Sequence, residues 1–268
     1  MFAKYGFEVE ILDPAPGPEN VRRVADGGAE FCLTSVLHYG RARAEWGDVG
    51  ARFVAVVVRR SPMAALVAAD SSLRTPTDLA GRRVGAPEST AFIREYEEAL
   101  ARRGIGRPTV VPMPYADAPA ALGQGEIDVV PDFVDLLPRV RRQAGVPVRS
   151  IPVGPDVYAS GLVAADRLGD DVVRRMRAAT VAALEQQRSA PHAGLDELAR
   201  RYPEADPADA VEGWSLAEPN IFTGAEPGSM RSSRWADTLA HLAATHGLPL
   251  LAPDTVHRPE LAVVPAAG

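Results

Sequence analysis

The sequence lacks the features that mark several common classes of protein. It has one cysteine, Cys32, so it cannot form an internal disulfide. No uninterrupted apolar run reaches the roughly 18 residues of a membrane-spanning helix, so we expect no direct membrane span. The formal net charge is −6, which leaves no basic surface for nucleic acid. What remains is a globular chain of 268 residues, 46% of them hydrophobic, long enough for one large or two small domains.

The opening of the chain has the order of an α/β fold. Residues 9–12 are predicted to form a strand, residues 19–25 a helix, and residues 31–33 a second strand that runs into Thr34 and Ser35. In open α/β sheets small ligands bind at the carboxyl ends of strands, next to helix N-termini. We therefore predict Thr34 and Ser35 as ligand contacts, with a plain helix N-cap as the alternative.

Further along the chain the same pattern recurs. Residues 52–58 are an apolar run typical of a buried strand, which Ser61 and Pro62 end. The alternation predicts a discontinuous first lobe, residues 1–82 and 158–268, and an inserted second lobe, residues 83–157. Two crossing segments would form a hinge, and a cleft between lobes is a favoured ligand site.

Four more polar side chains are candidates for that cleft. Ser61 follows a strand, and Ser89 and Thr90 open a predicted helix over residues 91–103. Asp132 follows a predicted strand over residues 128–131, where its carboxylate would accept hydrogen bonds from an amine or amidine. Helix capping is the alternative for Ser89, Thr90 and Asp132.

Several segments together resemble the solute-binding proteins of ABC importers. Residues 73–87 read LRTPTDLAGRRVGAP, residues 123–128 read GQGEID, and residues 239–248 read LAHLAATHGL. With the opening, these resemble the branch that binds nitrate, sulfonate, taurine and thiamine precursors. The resemblance implies a two-lobe type 2 periplasmic-binding-protein fold with a hinge, whose first lobe looks N-terminally shortened.

The same resemblance implies a function and a partner. We expect a small organic solute to bind between the lobes and to be delivered to an ABC permease. Family members are periplasmic or extracytoplasmic, but this chain shows no signal peptide; if Met1 is the true start, we expect a cytoplasmic protein. The alternative is a cytosolic enzyme on the same fold, similar to thiamine pyrimidine synthase, desulfinase or decarboxylase relatives.

His38 belongs to the enzyme alternative as well as to the binding site. Residues 28–44 read GAEFCLTSVLHYGRARA and resemble the fungal pyrimidine synthase, in which a histidine at this position is consumed. That enzyme carries its cofactor-binding lysine where this chain has Thr34, so no Schiff base can form. We expect His38 near the ligand, with a surface histidine as the alternative.

Other reactive groups do not form a site in the sequence. We expect Cys32 to point into the core as a small hydrophobic residue, on the strand face opposite Thr34. The histidines are dispersed, without the spacing of a metal site. The sequence offers no set of nucleophile, base and orienting group, so we predict no catalytic residues, no cofactor and no metal, and we favour binding over the enzyme alternative.

Overall fold

The computed structural model describes residues 1–88 and 90–261, so the predicted contact Ser89 lies outside the described residues. Those residues form an α/β fold, as predicted. The strands are β1 (Phe31–Ser35), β2 (Ala51–Val58), β3 (Met63–Ala68), β4 (Arg83–Ala86), β5 (Thr109–Pro112), β6 (Val130–Phe133), β7 (Val148–Pro152) and β8 (Ser160–Ala165). The α-helices are α1 (Glu19–Ala25), α2 (Val36–Trp46), α3 (Ala91–Ala101), α4 (Ala118–Gly123), α5 (Leu137–Ala144), α6 (Asp170–Ser189), α7 (Leu195–Arg201), α8 (Pro207–Ile221) and α9 (Ser232–His246). None of the described helices is both long and apolar enough to cross a membrane.

The chain divides into two compact units. The first contains Met1–Arg60, Asp156–Ala190 and Asn220–Gly268, and the second contains Ser61–Pro155 and Pro191–Pro219.

The first unit is built on a sheet with the order β1-β8-β2. Both outer strands pair antiparallel with β8, so β1 and β2 run in the same direction and end at the same edge. Gly161 of β8 lies between Thr34 and Val56 in register. One face of this sheet packs on a core that contains Trp235 and Phe53, whose ring centroids are 4.9 Å apart.

The predicted strand over residues 9–12 is wrong. This segment forms no strand in the structure. Val9 is 38% exposed, Ile11 56% and Leu12 42%. The apolar pattern of the segment was real, but a strand also needs a neighbouring strand for its backbone hydrogen bonds.

The second unit contains a sheet with the order β6-β3-β7 and a parallel pair, β4 and β5. A parallel bridge between Val84 and Val129 connects β4 to the residue before β6. The strands β4, β5 and β6 therefore run in one direction, and their carboxyl ends lie at one edge. We call this the carboxyl edge of the second unit.

The observed division of the chain differs from the predicted lobes in two places. Strand β3 lies with the second unit because it pairs with both β6 and β7. Residues 191–219 also lie there: Glu212 of α8 accepts a hydrogen bond of 3.0 Å from Arg141 of α5, and Asp209 pairs with Arg142. Leu216 of α8 packs against a hydrophobic core that contains Leu137 and Val140 of α5. These contacts join segments far apart in sequence, which local patterning does not reveal.

Candidate functional site

The end of β1 places Thr34 and Ser35 at the start of α2, as predicted. The hydroxyl of Ser35 caps the helix, accepting a hydrogen bond of 3.0 Å from the backbone N–H of His38. Thr34 is only 7% exposed, and its Oγ1 has no hydrogen-bond partner among the described residues. A buried hydroxyl without a partner costs free energy, so Thr34 is suited to bind a group that the protein itself does not supply.

His38 lies half-buried in the first turn of α2. Burial lowers the pKa of its imidazole, and the positive charge of Arg41 lowers it further. The ring is therefore neutral at physiological pH, with one nitrogen donating and the other accepting hydrogen bonds.

Cys32 lies on the same face of β1 as Thr34, which corrects the expectation that the two point to opposite faces. Residues two apart in a strand share a face, and the residue between them, Leu33, is the exposed one. Cys32 packs against the core of the first unit, where burial raises the pKa of its thiol to about 12. The thiol is therefore protonated and a poor nucleophile at neutral pH.

Arg59, which the sequence reasoning left out, directly follows the carboxyl end of β2. It is only 3% exposed. Its guanidinium donates hydrogen bonds to Thr223 Oγ1 at 3.1 Å and to the backbone oxygen of Ser229 at 2.6 Å, and it stacks on the ring of Tyr158. These contacts tie the end of β2 to the 223–229 segment, so we assign Arg59 a positioning role.

In the second unit, Thr90 lies at the carboxyl edge and begins α3. Its Oγ1 accepts a hydrogen bond of 3.2 Å from the backbone N–H of Ile93, so it caps the helix. The same oxygen lies 2.8 Å from the hydroxyl oxygen of Tyr115, which follows β5. Thr90 therefore caps α3, which was the alternative to a ligand contact, and it also orients Tyr115. That it contacts a ligand stays a prediction.

Three aromatic rings lie beside this hydroxyl pair. Phe92 makes edge-to-face contacts with Tyr115 and with Phe133, at centroid distances of 6.3 and 5.2 Å. Tyr115 is 40% exposed and Phe133 38%. The sequence reasoning left Phe92 and Tyr115 out of the site. Tyr115 follows the end of β5 as Thr90 follows the end of β4, so the same strand-end rule would have found it.

Asp132 lies inside β6 rather than after a strand. The strand extends to Phe133 because Asp132 and Phe133 pair with Ala64 and Met63 of β3. Its Oδ1 accepts a hydrogen bond of 2.8 Å from the backbone N–H of Phe133. It does not cap α5, which follows a 3₁₀ turn over Val134–Leu136.

The environment of Asp132 raises the pKa of its carboxyl group. Burial is the main cause; the carboxylate of Asp135 raises it further, and the charge of Arg139 acts in the opposite direction. In the part of the chain that the structure describes, no cation forms an ion pair with Asp132. A half-buried carboxylate at this edge is therefore available to a positively charged or hydrogen-bond-donating group.

Ser61 lies two residues before β3, at the strand end that pairs with Phe133, and so belongs to the same edge. Its Oγ accepts a long hydrogen bond of 3.5 Å from the backbone N–H of Met63. The structure thus brings together Ser61, Thr90 and Asp132 in the second unit, and Thr34, Ser35 and His38 in the first. That both sets face one cleft stays a prediction.

The described residues offer no metal site, and one groove lies away from the carboxyl edge. No cluster of His, Cys, Asp or Glu among them has the geometry to hold a metal ion. A shallow groove lined by Asp70, Gly125 and Pro147 lies at the amino ends of β4 and β6. Ligands of open α/β sheets bind at the opposite edge, where the aromatic rings and Asp132 lie.

Residues 1–193 match the model of the family described as NMT1/THI5 like, which is well over half of the chain. The chain belongs to the NMT1/THI5-like family. No curated protein matches it at the level of sequence.

Solved structures match this NMT1/THI5-like chain in fold. The periplasmic aliphatic sulphonate-binding protein of Escherichia coli superposes with a TM-score of 0.70 at 16% identity, over 90% of this chain and 79% of its own. The alkanesulfonate-binding protein of Xanthomonas axonopodis pv. citri gives 0.62 at 18% identity, over 90% and 85%. The desulfurization enzyme DSZB gives 0.64 at 17% identity, over 97% and 91%. The α/β fold is therefore that of periplasmic binding proteins, a fold that also occurs in an enzyme.

Proposed function

We propose that this NMT1/THI5-like protein binds a small organic solute and delivers it to an ABC permease. The observation that carries the proposal is the convergence of Thr90, Tyr115, Asp132 and Phe133 at the carboxyl ends of three strands. In the first unit, the unpartnered hydroxyl of Thr34 beside the capped start of α2 is suited to the same task. Hydrogen-bond donors, acceptors and apolar rings are sufficient for binding, and no covalent step is required.

The comparisons support this proposal. Three of the matched structures are named as sulfonate-binding proteins, and two others are named as an ABC transporter or as a component of an ABC-type import system. A binding protein of this kind works on the outer side of the membrane and docks on its permease after the solute is bound. We extend that role, with an extracytoplasmic location, to this chain.

The second candidate is an enzyme on the same fold, favoured by the match to the desulfurization enzyme. Two features of this chain count against it. The thiol of Cys32, with a pKa of about 12, is not a nucleophile at neutral pH, and Thr34 has no amine with which to form a Schiff base. Fold similarity by itself does not decide between the two functions.

A thermal-shift screen tests the proposal. The panel contains alkanesulfonates, nitrogen heterocycles, thiamine precursors and aromatic acids. A solute that binds only the folded protein raises Tm with its concentration, by an amount that follows RT ln(1 + [L]/Kd). We expect at least one class to raise Tm, and the Thr34→Val variant to reduce the shift. A panel that leaves Tm unchanged at millimolar concentrations contradicts the proposal.

A further inference from the structure

The chain after helix α9 returns to the sheet of the first unit and lies along the outer edge of β2. The backbone N–H of Phe53 donates a hydrogen bond of 2.9 Å to the oxygen of Val256, and the N–H of Arg258 donates one of 3.0 Å to the oxygen of Phe53. These two bonds form a parallel bridge between Phe53 and His257. Since β2 is an outer strand in the order β1-β8-β2, this segment covers part of its edge. We call residues 253–261 the strap.

Contacts on both sides of His257 fasten the strap to the rest of the first unit. Val256 and Leu261 are fully buried in two hydrophobic cores of that unit. Arg258, which is also buried, forms an ion pair with Asp170 of α6. Because both sequence neighbours of His257 are buried, its imidazole can reach water only if the strap moves.

His257 is buried without the partners that a charged imidazole needs. It is 1% exposed, and its ring centroid lies 5.6 Å from that of Trp235 in α9. Its Nε2 lies 3.4 Å from Ser232 Oγ, which is a long hydrogen bond, and its Nδ1 makes no hydrogen bond to another described residue. A protonated imidazole has two N–H donors, so one of them would stay unpaired in the interior, where a polar group without a partner costs free energy. The packing of the strap therefore suits the neutral form of His257.

The nearby carboxylates do not remove this cost. Burial is the main effect on the pKa of His257 and lowers it, while its own backbone and the charges of Glu260 and Asp254 raise it by less. A histidine in a released strap has an ordinary pKa of about 6.5. Below that pH the released strap therefore holds a proton that the fastened strap does not, and acid favours release.

Other charged groups at the strap have partners of their own. Glu260 pairs with Arg258 at 3.0 Å, and Arg52 of β2 acts on the same carboxylate. Arg43 of α2 donates a hydrogen bond of 2.9 Å to the backbone oxygen of Thr255. The side chains of α9 and β2 that surround His257 are uncharged: Ser232, Trp235 and Phe53. His257 is therefore the group of the strap that changes charge in mild acid.

We propose that the strap is an acid-sensitive fastening of the first unit: protonation of His257 releases residues 253–261 from the edge of β2, and a return to neutral pH restores the pairing. Release uncovers the backbone groups of Phe53 and one side of Trp235, which the fastened strap contacts. A free strand edge of this kind can pair with another chain. The inference goes beyond solute binding, because no residue of the proposed solute site takes part in it.

Hydrogen exchange of the full chain at pH 7 and pH 5 tests the proposal, with labelling times adjusted for the intrinsic exchange rates. The amides of Phe53 and Arg258 bond between β2 and the strap, so they report its release. The ordinary histidine pKa of about 6.5 limits the gain in the released population at pH 5 to about thirtyfold. We expect the protection of these two amides to fall several-fold, up to that limit, while the amides of β3 in the second unit keep theirs.

Two histidine variants assign the effect to the strap. His257→Gln cannot take up a proton in this range, so the protection of its strap amides should be the same at both pH values. His192→Gln is the matched control, because it removes an exposed histidine and should keep the pH response of the wild type. If His257→Gln does not fold, NMR titration of the wild type replaces it: the ring of His257 and the amides of the strap should change together below about pH 6.5.

The contrary results are distinct. Equal protection of the strap amides at both pH values in the wild type, or a pH response that His257→Gln retains, overturns the inference. Loss of protection throughout both units at pH 5 also overturns it, because that result is global acid unfolding instead of release of the strap. None of these results bears on solute binding, which the thermal-shift panel tests separately.

Discussion

At the scale of single residues, two of the side chains proposed to bind solute, Thr34 and Asp132, do not serve the stability of the fold. Thr34 buries a hydroxyl without a partner, and Asp132 is a half-buried carboxylate without an ion pair among the described residues. Both arrangements cost free energy in the absence of ligand. Substitutions at these positions should therefore have opposite effects on stability and on binding.

Asp132→Asn should stabilise the ligand-free protein at neutral pH. The pKa of Asp132 is raised in the folded state, so in the range between the ordinary aspartate pKa and the raised value the folded state holds more protons than the unfolded state. The contribution of Asp132 to the free energy of unfolding therefore falls as pH rises through that range. Above the range, the full destabilisation by the buried carboxylate is present. The advantage of the asparagine should shrink as pH falls and disappear below about pH 3.9.

Urea unfolding of both proteins across this pH range measures the effect, and the difference curve removes the titration of groups common to both. Asp135, Arg139 and Tyr115 are the titratable neighbours that remain in each protein. An asparagine variant that is less stable at neutral pH would mean that Asp132 has a structural role instead.

Thr34 and Ser35 form a matched pair for a second test. Thr34→Val keeps the shape of the side chain and removes the unpartnered hydroxyl, so it should leave stability unchanged or raise it by up to about 1 kcal/mol, while weakening solute binding. Ser35→Ala removes the cap bonded to His38 and should lower stability by about 1 kcal/mol. Denaturant titration distinguishes them; destabilisation by Thr34→Val would indicate that its hydroxyl has a partner in the folded protein.

Cys32→Ala should affect stability and not binding. The thiol packs against the core and is protonated, with its pKa raised to about 12, so the native protein should react with iodoacetamide far more slowly at neutral pH than the urea-unfolded protein. Solute affinity of Cys32→Ala should equal that of the wild type. Loss of all activity in this variant alone would favour a cysteine enzyme.

At the scale of elements, the central strand β8 depends on a close approach at Gly161. A Cβ there would lie 2.3 Å from the backbone oxygen of Ala55 in β2, which requires the two strands to separate. Gly161→Ala should therefore cost about 1–3 kcal/mol or more. Gly169→Ala is the control, because a Cβ at that position meets no atom within 4 Å. Equal melting temperatures for the two variants would contradict the pairing of β2 with β8.

Local elements were predictable where burial gives a strong pattern. The apolar run at residues 52–58 corresponds to β2 (Ala51–Val58), and the predicted helix at residues 19–25 corresponds to α1 (Glu19–Ala25). Residues 9–12 are also largely apolar but form no strand, because an apolar pattern does not show how a segment pairs in the folded chain. Asp132 lies within β6 for the converse reason, since its pairing with Ala64 of β3 lengthens that strand.

Residues of the candidate site could be predicted from the sequence where they lie at or just after the end of a strand. This rule found Thr34, Thr90 and Asp132, and it would have found Tyr115 had it been applied to β5. Phe92 is the second residue of α3 and is recognised only through its contacts with Tyr115 and Phe133. Such contacts join residues 23 and 41 positions apart in the sequence, so composition and periodicity carry no signal for them.

At the scale of the whole molecule, membership of the NMT1/THI5-like family and the fold of periplasmic binding proteins are compatible with both a carrier and an enzyme. Among the described residues, the site supplies hydroxyls, aromatic rings and a carboxylate, which suit the proposed carrier. A carrier releases its solute unchanged, whereas an enzyme converts it. Whether the bound solute is chemically changed therefore decides between the two functions more directly than its affinity does.

The most direct test is therefore to incubate the purified chain with the solute that raises its Tm most, titrate it by calorimetry, and recover the solute for mass spectrometry. Our account predicts saturable binding of one solute per chain and recovery of that solute with its mass unchanged after prolonged incubation. Conversion of the solute to a product, or heat without saturation, would contradict the proposal that this protein binds and delivers a solute.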